Sequence, residues 1–119
     1  FCHAPCMVRR DAYQAVNGYT DDPRYLRVED YDLWVKMYAA GFRGQNITEP
    51  LYAMRDDRNA FARRKFRYRI NEFRVHIKAA RLLHLSLKAY IYAFRPIAVG
   101  LMPERIYKIL HQKSLKRNG

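Results

Sequence analysis

The 119-residue chain carries 23 Lys/Arg against 11 Asp/Glu, a formal net charge of +12, and half of its residues are apolar. Such a composition excludes a disordered chain, and the length allows one small domain with a modest core, too short for most complete two-substrate enzymes. No run of about eighteen apolar residues is available to span a bilayer.

The charge is unevenly spread. Residues 1–54 hold six Lys/Arg and seven Asp/Glu, whereas residues 55–119 hold seventeen and four. The second part should therefore seek phosphate, in a charged substrate, an anionic lipid surface or nucleic acid. Cys2 and Cys6 are the two cysteines, spaced poorly for a bridge, and read as reduced thiols in a cytoplasmic protein. The chain opens abruptly in strand-like sequence, Phe1 to Val8, and reads as a segment of a longer protein.

In chain order, Cys6-Met7-Val8 is an apolar run that suits a buried strand. Asp11 with Gln14 three residues on has the pattern of a capping box, Ala12, Ala15 and Val16 give that short helix an apolar face, and Asn17-Gly18 end it. Residues 20–27 are polar, contain Pro23 and read as a loop. Glu29-Asp30 then place acids in the first turn of a helix, where the macrodipole favours them. Leu33, Trp34, Met37, Tyr38 and Ala40 form its apolar stripe, and Gly41 closes it. Residues 44–54 look extended, with Pro50 at an edge or bend.

From about Ala60 to Leu87 the periodicity predicts one long amphipathic helix. Phe66, Ile70, Phe73, Ile77, Ala80 and His84 share one face, and Arg63, Arg67, Arg74, Lys78, Arg81 and Lys88 share another. Residues 89–102 are aromatic and apolar, interrupted by Pro96 and Gly100, and residues 104–115 read as a last short helix. The expected fold is α+β and mostly helical, with short strands beside the long helix. Unpaired strand edges and an uncovered apolar face invite self-association.

An ordered set of motifs runs through the first half: Met7-Val8-Arg9-Arg10, Val16-Asn17-Gly18-Tyr19, Glu29-Asp30-Tyr31-Asp32-Leu33-Trp34, Gly41-Phe42 and Glu49-Pro50-Leu51-Tyr52. In this order and spacing they resemble family 2 glycosyltransferases of the GT-A (Rossmann-like) fold. The resemblance implies that residues 1–59 are the acceptor-side portion of the catalytic domain and that residues 60–119 are a basic helical C-terminal extension. It also places the nucleotide-binding half, with its metal-binding Asp-x-Asp, before this segment. Asp30-Tyr31-Asp32 has that spelling too, but it opens an amphipathic helix, whereas the metal motif ends a strand. The triplet is assigned to the base motif instead.

The implied chemistry is an inverting transfer from a nucleotide-sugar donor to a saccharide or lipid-linked acceptor in cell-surface polysaccharide synthesis. An alcohol is too weak an acid to attack unaided, so a carboxylate must take its proton as the new bond forms. By resemblance Asp30 is that base, and Glu29 orients it, binds acceptor hydroxyls or raises its pKa as a neighbouring like charge. Taken alone, such an acid pair would simply suit the helix dipole. Trp34, one turn on, either lines a sugar site or belongs to the core. His3 either contacts the acceptor or a metal or, as is usual for a lone His, contacts neither. Where many relatives have Tyr-Arg-x-His, this chain has Met54-Arg55-Asp56-Asp57. Asp57 keeps a possible oxygen ligand for Mg²⁺ or Mn²⁺, and Arg55 or Arg58 could neutralise a diphosphate; a solvated charged turn reads equally well.

The basic helix is either a solvated face or, with the aromatic tail, an interfacial element at the inner face of the cytoplasmic membrane. Nucleic acid ranks last, because no stacking platform or DNA-binding helix pair is visible. The competing class is a small basic non-catalytic module that binds an anionic membrane surface or nucleic acid. On the enzyme reading, this segment alone is inactive and the divalent metal belongs to the full-length enzyme.

Overall fold

A computed structural model describes residues 4–53 and 65–103 of the chain. They form five α-helices, α1 (Arg10–Ala15), α2 (Glu29–Ala39), α3 (Phe66–Leu82), α4 (Leu87–Ala93) and α5 (Arg95–Leu101), with a 3₁₀ turn at Pro23–Tyr25 ahead of α2. The organising element is α3, against which α2, α4, α5 and the 3₁₀ turn all pack. None of these helices is long and apolar enough to cross a membrane.

The described residues are mostly helical, as expected, but they contain no strand. Cys6-Met7-Val8 and residues 44–53 have the composition for a sheet, yet neither forms a ladder among the described residues. Met7, Ile47 and Leu51 are accordingly exposed.

In α1 the expected capping box does not form. The helix starts one residue before Asp11, so the N-cap is Arg9 and no side chain caps it. Asp11 instead pairs with the Arg9 guanidinium at 3.0 Å, which holds its carboxyl below the usual value. The stop is as read: Asn17 and Gly18 both turn left-handed, at φ 55° and 58°. At Gly18 a Cβ would also lie 2.6 Å from the Tyr13 ring. Gly18→Ala should therefore destabilise the fold by about 2 kcal/mol, visible as a lower denaturation midpoint at unchanged m-value.

The loop before α2 is braced. Asp22 caps the 3₁₀ turn by accepting from Arg24 N at 2.8 Å, and the Arg24 guanidinium beside it holds its carboxyl at about 2. The Asn71 side chain of α3 donates to the carbonyls of Pro23 and Leu26 at 3.3 and 3.1 Å. One amide of α3 thus ties a polar loop to that helix. Helix α2 then runs to Ala39 and closes at Gly41, with φ 86°, where Phe42 N donates back to the Met37 carbonyl. Leu33 and Met37 bury with Ala12 of α1, flanked by Tyr13, Val16, Trp34 and Phe42.

The long helix is shorter than its periodicity suggests. Its expected start lies outside the described residues, and α3 ends at Leu82, not Leu87. His84 turns left-handed at φ 50°, and Leu85 N closes the end on the Ala80 carbonyl. The reversal lets α4 and α5 fold back on α3 and bury Ala80, Ala93 and Pro96. Pro96 does not break the chain there. It sits in the first turn of α5, where its missing N–H has no partner to lose. The expected last helix, residues 104–115, lies outside the described residues.

Candidate active site

The site grows from the start of α2. Arg27, at φ 74°, reverses the chain just before the helix, and its guanidinium rests 5.9 Å from the centre of the Tyr68 ring on α3. Val28 caps the helix and is buried, so Glu29 and Asp30 emerge from a fixed point. Glu29 is exposed and Asp30 is half-buried, with Asp30 Oδ1 accepting from Tyr31 N at 2.8 Å.

Asp30 stands on the rim of a cleft of about 240 Å³ between α2 and the C-terminal end of α3. The remaining lining is Tyr31, Trp34, Val35, Tyr38, Ala79, Leu83 and Leu85. A carboxylate beside aromatic and aliphatic walls can accept a proton from a hydroxyl held against them. Tyr19, from the Gly-Tyr turn after α1, lies near the same acids. Desolvation, followed by the charges of Tyr13, Asp30 and Glu29, pushes its phenol above the ordinary value.

Asp32 has a different task from Asp30. Its side chain is 0 % exposed. Thr20 Oγ1 and Lys78 Nζ each donate to it at 2.5 Å, and Lys36 Nζ lies 3.9 Å away. Lys36 also donates to the Gly18 carbonyl and to Thr20 Oγ1. Both Asp32 oxygens are thus committed inside the protein, and the Asp30-Tyr31-Asp32 spelling does not make a metal clamp here. The network joins α2, the Gly18–Thr20 turn and α3. Lys78, expected on the outward basic stripe, is the ion partner of a buried carboxylate and also sits 4.7 Å from the Tyr25 ring centre.

The expected site residues divide as follows. Glu29, Asp30 and Trp34 come together at the start of α2, with Trp34 both lining the cleft and packing on the Ala12–Leu33–Met37 core. His3, Arg55, Asp57 and Arg58 lie outside the described residues. Among the described residues, no group of three or more His, Cys, Asp or Glu side chains could hold a metal ion. Asn71, Lys78 and Tyr19 are additions that the pattern of charges and apolar residues did not single out as site residues. The one sequence signal for the network is the i, i+4 spacing of Asp32 and Lys36.

Comparison with known proteins finds two related sequences. The chain is 41 % identical over 113 residues to a Bacillus subtilis (strain 168) protein named "Putative glycosyltransferase EpsE", covering 95 % of the chain and 41 % of that protein. It is 29 % identical over 119 residues to an Escherichia coli protein named UDP-Gal:alpha-D-GlcNAc-diphosphoundecaprenol beta-1,3-galactosyltransferase, covering 98 % of the chain and 42 % of that protein. The chain thus spans about two fifths of the length of the curated relatives it matches. No protein-family model matches it, and no solved structure does at a significant level. Over nearly all its length, the chain is a homologue of one segment of bacterial glycosyltransferases.

Proposed function

We propose that the chain is the C-terminal, acceptor-side part of an inverting family 2 glycosyltransferase of the GT-A fold. The full-length enzyme would move a sugar from a nucleotide donor to a saccharide or lipid-linked acceptor during cell-surface polysaccharide synthesis, at the cytoplasmic face of a membrane. In this reading residues 1–59 complete the catalytic domain, with any short strands paired to a sheet supplied by the rest of that domain, and residues 60–119 form the basic helical extension. The observation that carries the reading is the position of Asp30, at the fixed start of α2 and on the rim of an aromatic cleft, in a chain homologous to glycosyltransferases.

The proposed step balances simply. The acceptor hydroxyl gives its proton to the Asp30 carboxylate, its oxygen bonds to the anomeric carbon, and the bond from that carbon to the donor diphosphate breaks. The nucleoside diphosphate leaves from the opposite face, so the anomeric configuration inverts. Trp34 and Tyr38 of the cleft lining supply aromatic surface for the acceptor sugar. A divalent cation such as Mg²⁺ or Mn²⁺ would neutralise the leaving diphosphate. No ligand set for it is gathered among the described residues, and Asp57, Arg55 and Arg58 remain candidates for the donor side.

The test is transfer by the full-length protein from a panel of nucleotide sugars to a polyprenyl-diphosphate-linked sugar. Nucleoside diphosphate release with an inverted linkage in the product is expected. Retention of configuration would remove Asp30 as the base. No transfer from any donor, with vesicle or nucleic-acid binding intact, would favour the non-catalytic binding module.

A further inference from the structure

Helices α4 and α5 carry a row of apolar side chains that is exposed among the described residues. Leu87, Ile91, Phe94, Ala98 and Leu101 follow one another at alternating spacings of four and three, the rhythm that keeps side chains on one side of a helix. Phe94, at the junction, has helical backbone angles (φ −75°, ψ −13°), so the row continues from α4 into α5. The buried residues Ala93 and Pro96 take the side against α3. Leu87 is 76 %, Ile91 68 %, Phe94 58 % and Leu101 71 % exposed. A stripe of this kind normally belongs to a core, and left open it marks a contact surface.

The surrounding charge selects what can cover it. Residues 65–103 hold eight Lys/Arg and one carboxylate, Glu72. Glu72 pairs with Arg69, and Lys78 is drawn inward by Asp32. Lys65, Arg67, Arg74, Arg81, Lys88 and Arg95 remain exposed, and Lys88 and Arg95 adjoin Leu87 and Phe94 in the chain. A second copy of the chain would bring the same cations against this face and be repelled. Nucleic acid would meet the cations but leave the apolar row in water. An anionic bilayer surface answers both, since its acyl boundary takes the leucines, Ile91 and Phe94 while its headgroups take the lysines and arginines.

We propose that the α4–α5 row is a docking face that seats the protein on an anionic lipid surface. The row begins close to the candidate site in the chain, because Leu83 and Leu85 of the cleft lie four and two positions before Leu87. Docking therefore holds the Asp30 cleft beside the bilayer, where a lipid-linked acceptor would lie. That consequence rests on the function proposed above, whereas docking itself does not.

Co-sedimentation of the full-length protein with vesicles tests it, using phosphatidylcholine alone and phosphatidylcholine mixed with phosphatidylglycerol. Binding is expected to the mixed vesicles at low salt and to weaken as salt is added. A Leu87→Ser/Ile91→Ser double variant, folded because both side chains are already in water, should bind about tenfold or more weakly. Lys88→Glu/Arg95→Glu should also bind more weakly, and Ile47→Ser, an exposed apolar change elsewhere, should bind normally. No binding at low salt would overturn the proposal, as would equal binding by the double variant. So would a lipid-free dimer that the double variant abolishes, which would make the row an interface between copies. Transfer to a water-soluble acceptor analogue separates the two readings. Its retention in the double variant leaves catalysis intact while docking is lost, and its absence in every form sinks the enzyme reading without touching the vesicle result.

Discussion

Exchanging Asp30 for asparagine in the full-length protein should lower the turnover of sugar transfer by about 10²–10⁴-fold, the range a positioned general base contributes. Asparagine has nearly the same shape and can still accept from Tyr31 N, so the start of α2 and the cleft wall should be unchanged. Donor affinity and thermal stability should then stay close to those of the parent. Glu29→Gln should do much less, because Glu29 is exposed and does not line the cleft. Single-turnover rates with bound donor would report the chemical step directly. Near-normal turnover in Asp30→Asn would remove that residue from the mechanism, and a loss of rate matched by a loss of stability would make its role structural.

Truncating Lys78 to alanine should destabilise the fold by about 3 kcal/mol, the low end of the cost of removing one partner from a buried ion pair. The low end applies because Lys36 Nζ stays 3.9 Å from Asp32 and Thr20 still donates to it. The effect should depend on pH in one direction. Burial works against the Lys78 charge, but Asp32 outweighs it, and the ammonium pKa is raised on balance. A raised folded-state pKa gives stability that is fully present below the ordinary lysine value of about 10.4 and is lost as pH rises through the folded value. Urea denaturation of parent and Lys78→Ala should therefore differ by a constant amount near neutrality and converge at strongly alkaline pH. A gap that persists there would mean that packing of the lysine stem carries the contribution, with its charge playing no part.

Asp30 and Asp32, two positions apart, are thus expected to separate activity from stability. Helix α2 was legible in the sequence because three local signals agree on it: acids in the first turn, an apolar stripe and a closing glycine at 41. Asp30 could be marked as a candidate from the same motif, and the structure sets it on the cleft lining. The role of Lys78 could not, since a lysine in a basic stripe has the same spelling whether it meets water or a carboxylate 46 positions away. The end of α3 was hidden for another reason. Leu83-His84-Leu85 contains neither glycine nor proline, and only the packing of α4 and α5 makes the left-handed turn at His84 worthwhile. The apolar runs at Cys6-Met7-Val8 and 44–53 carry strand composition, but a strand is a property of a pair, and composition cannot supply the second member.

The reach of Lys78 into the Asp32 network bears on how related chains could be recombined. A chimera that joined residues 1–59 to the tail of a relative would keep every side chain on the cleft's α2 wall yet inherit whatever that tail places opposite Asp32. Without a cation there, Asp32 would lose its closest ion partner, and without an amide at the Asn71 position the Pro23 and Leu26 carbonyls would lose their donor. The apparent seam between a nearly neutral segment and a basic one is therefore a poor place to cut. Interchangeable tails should be those that bring both α3 contacts with them.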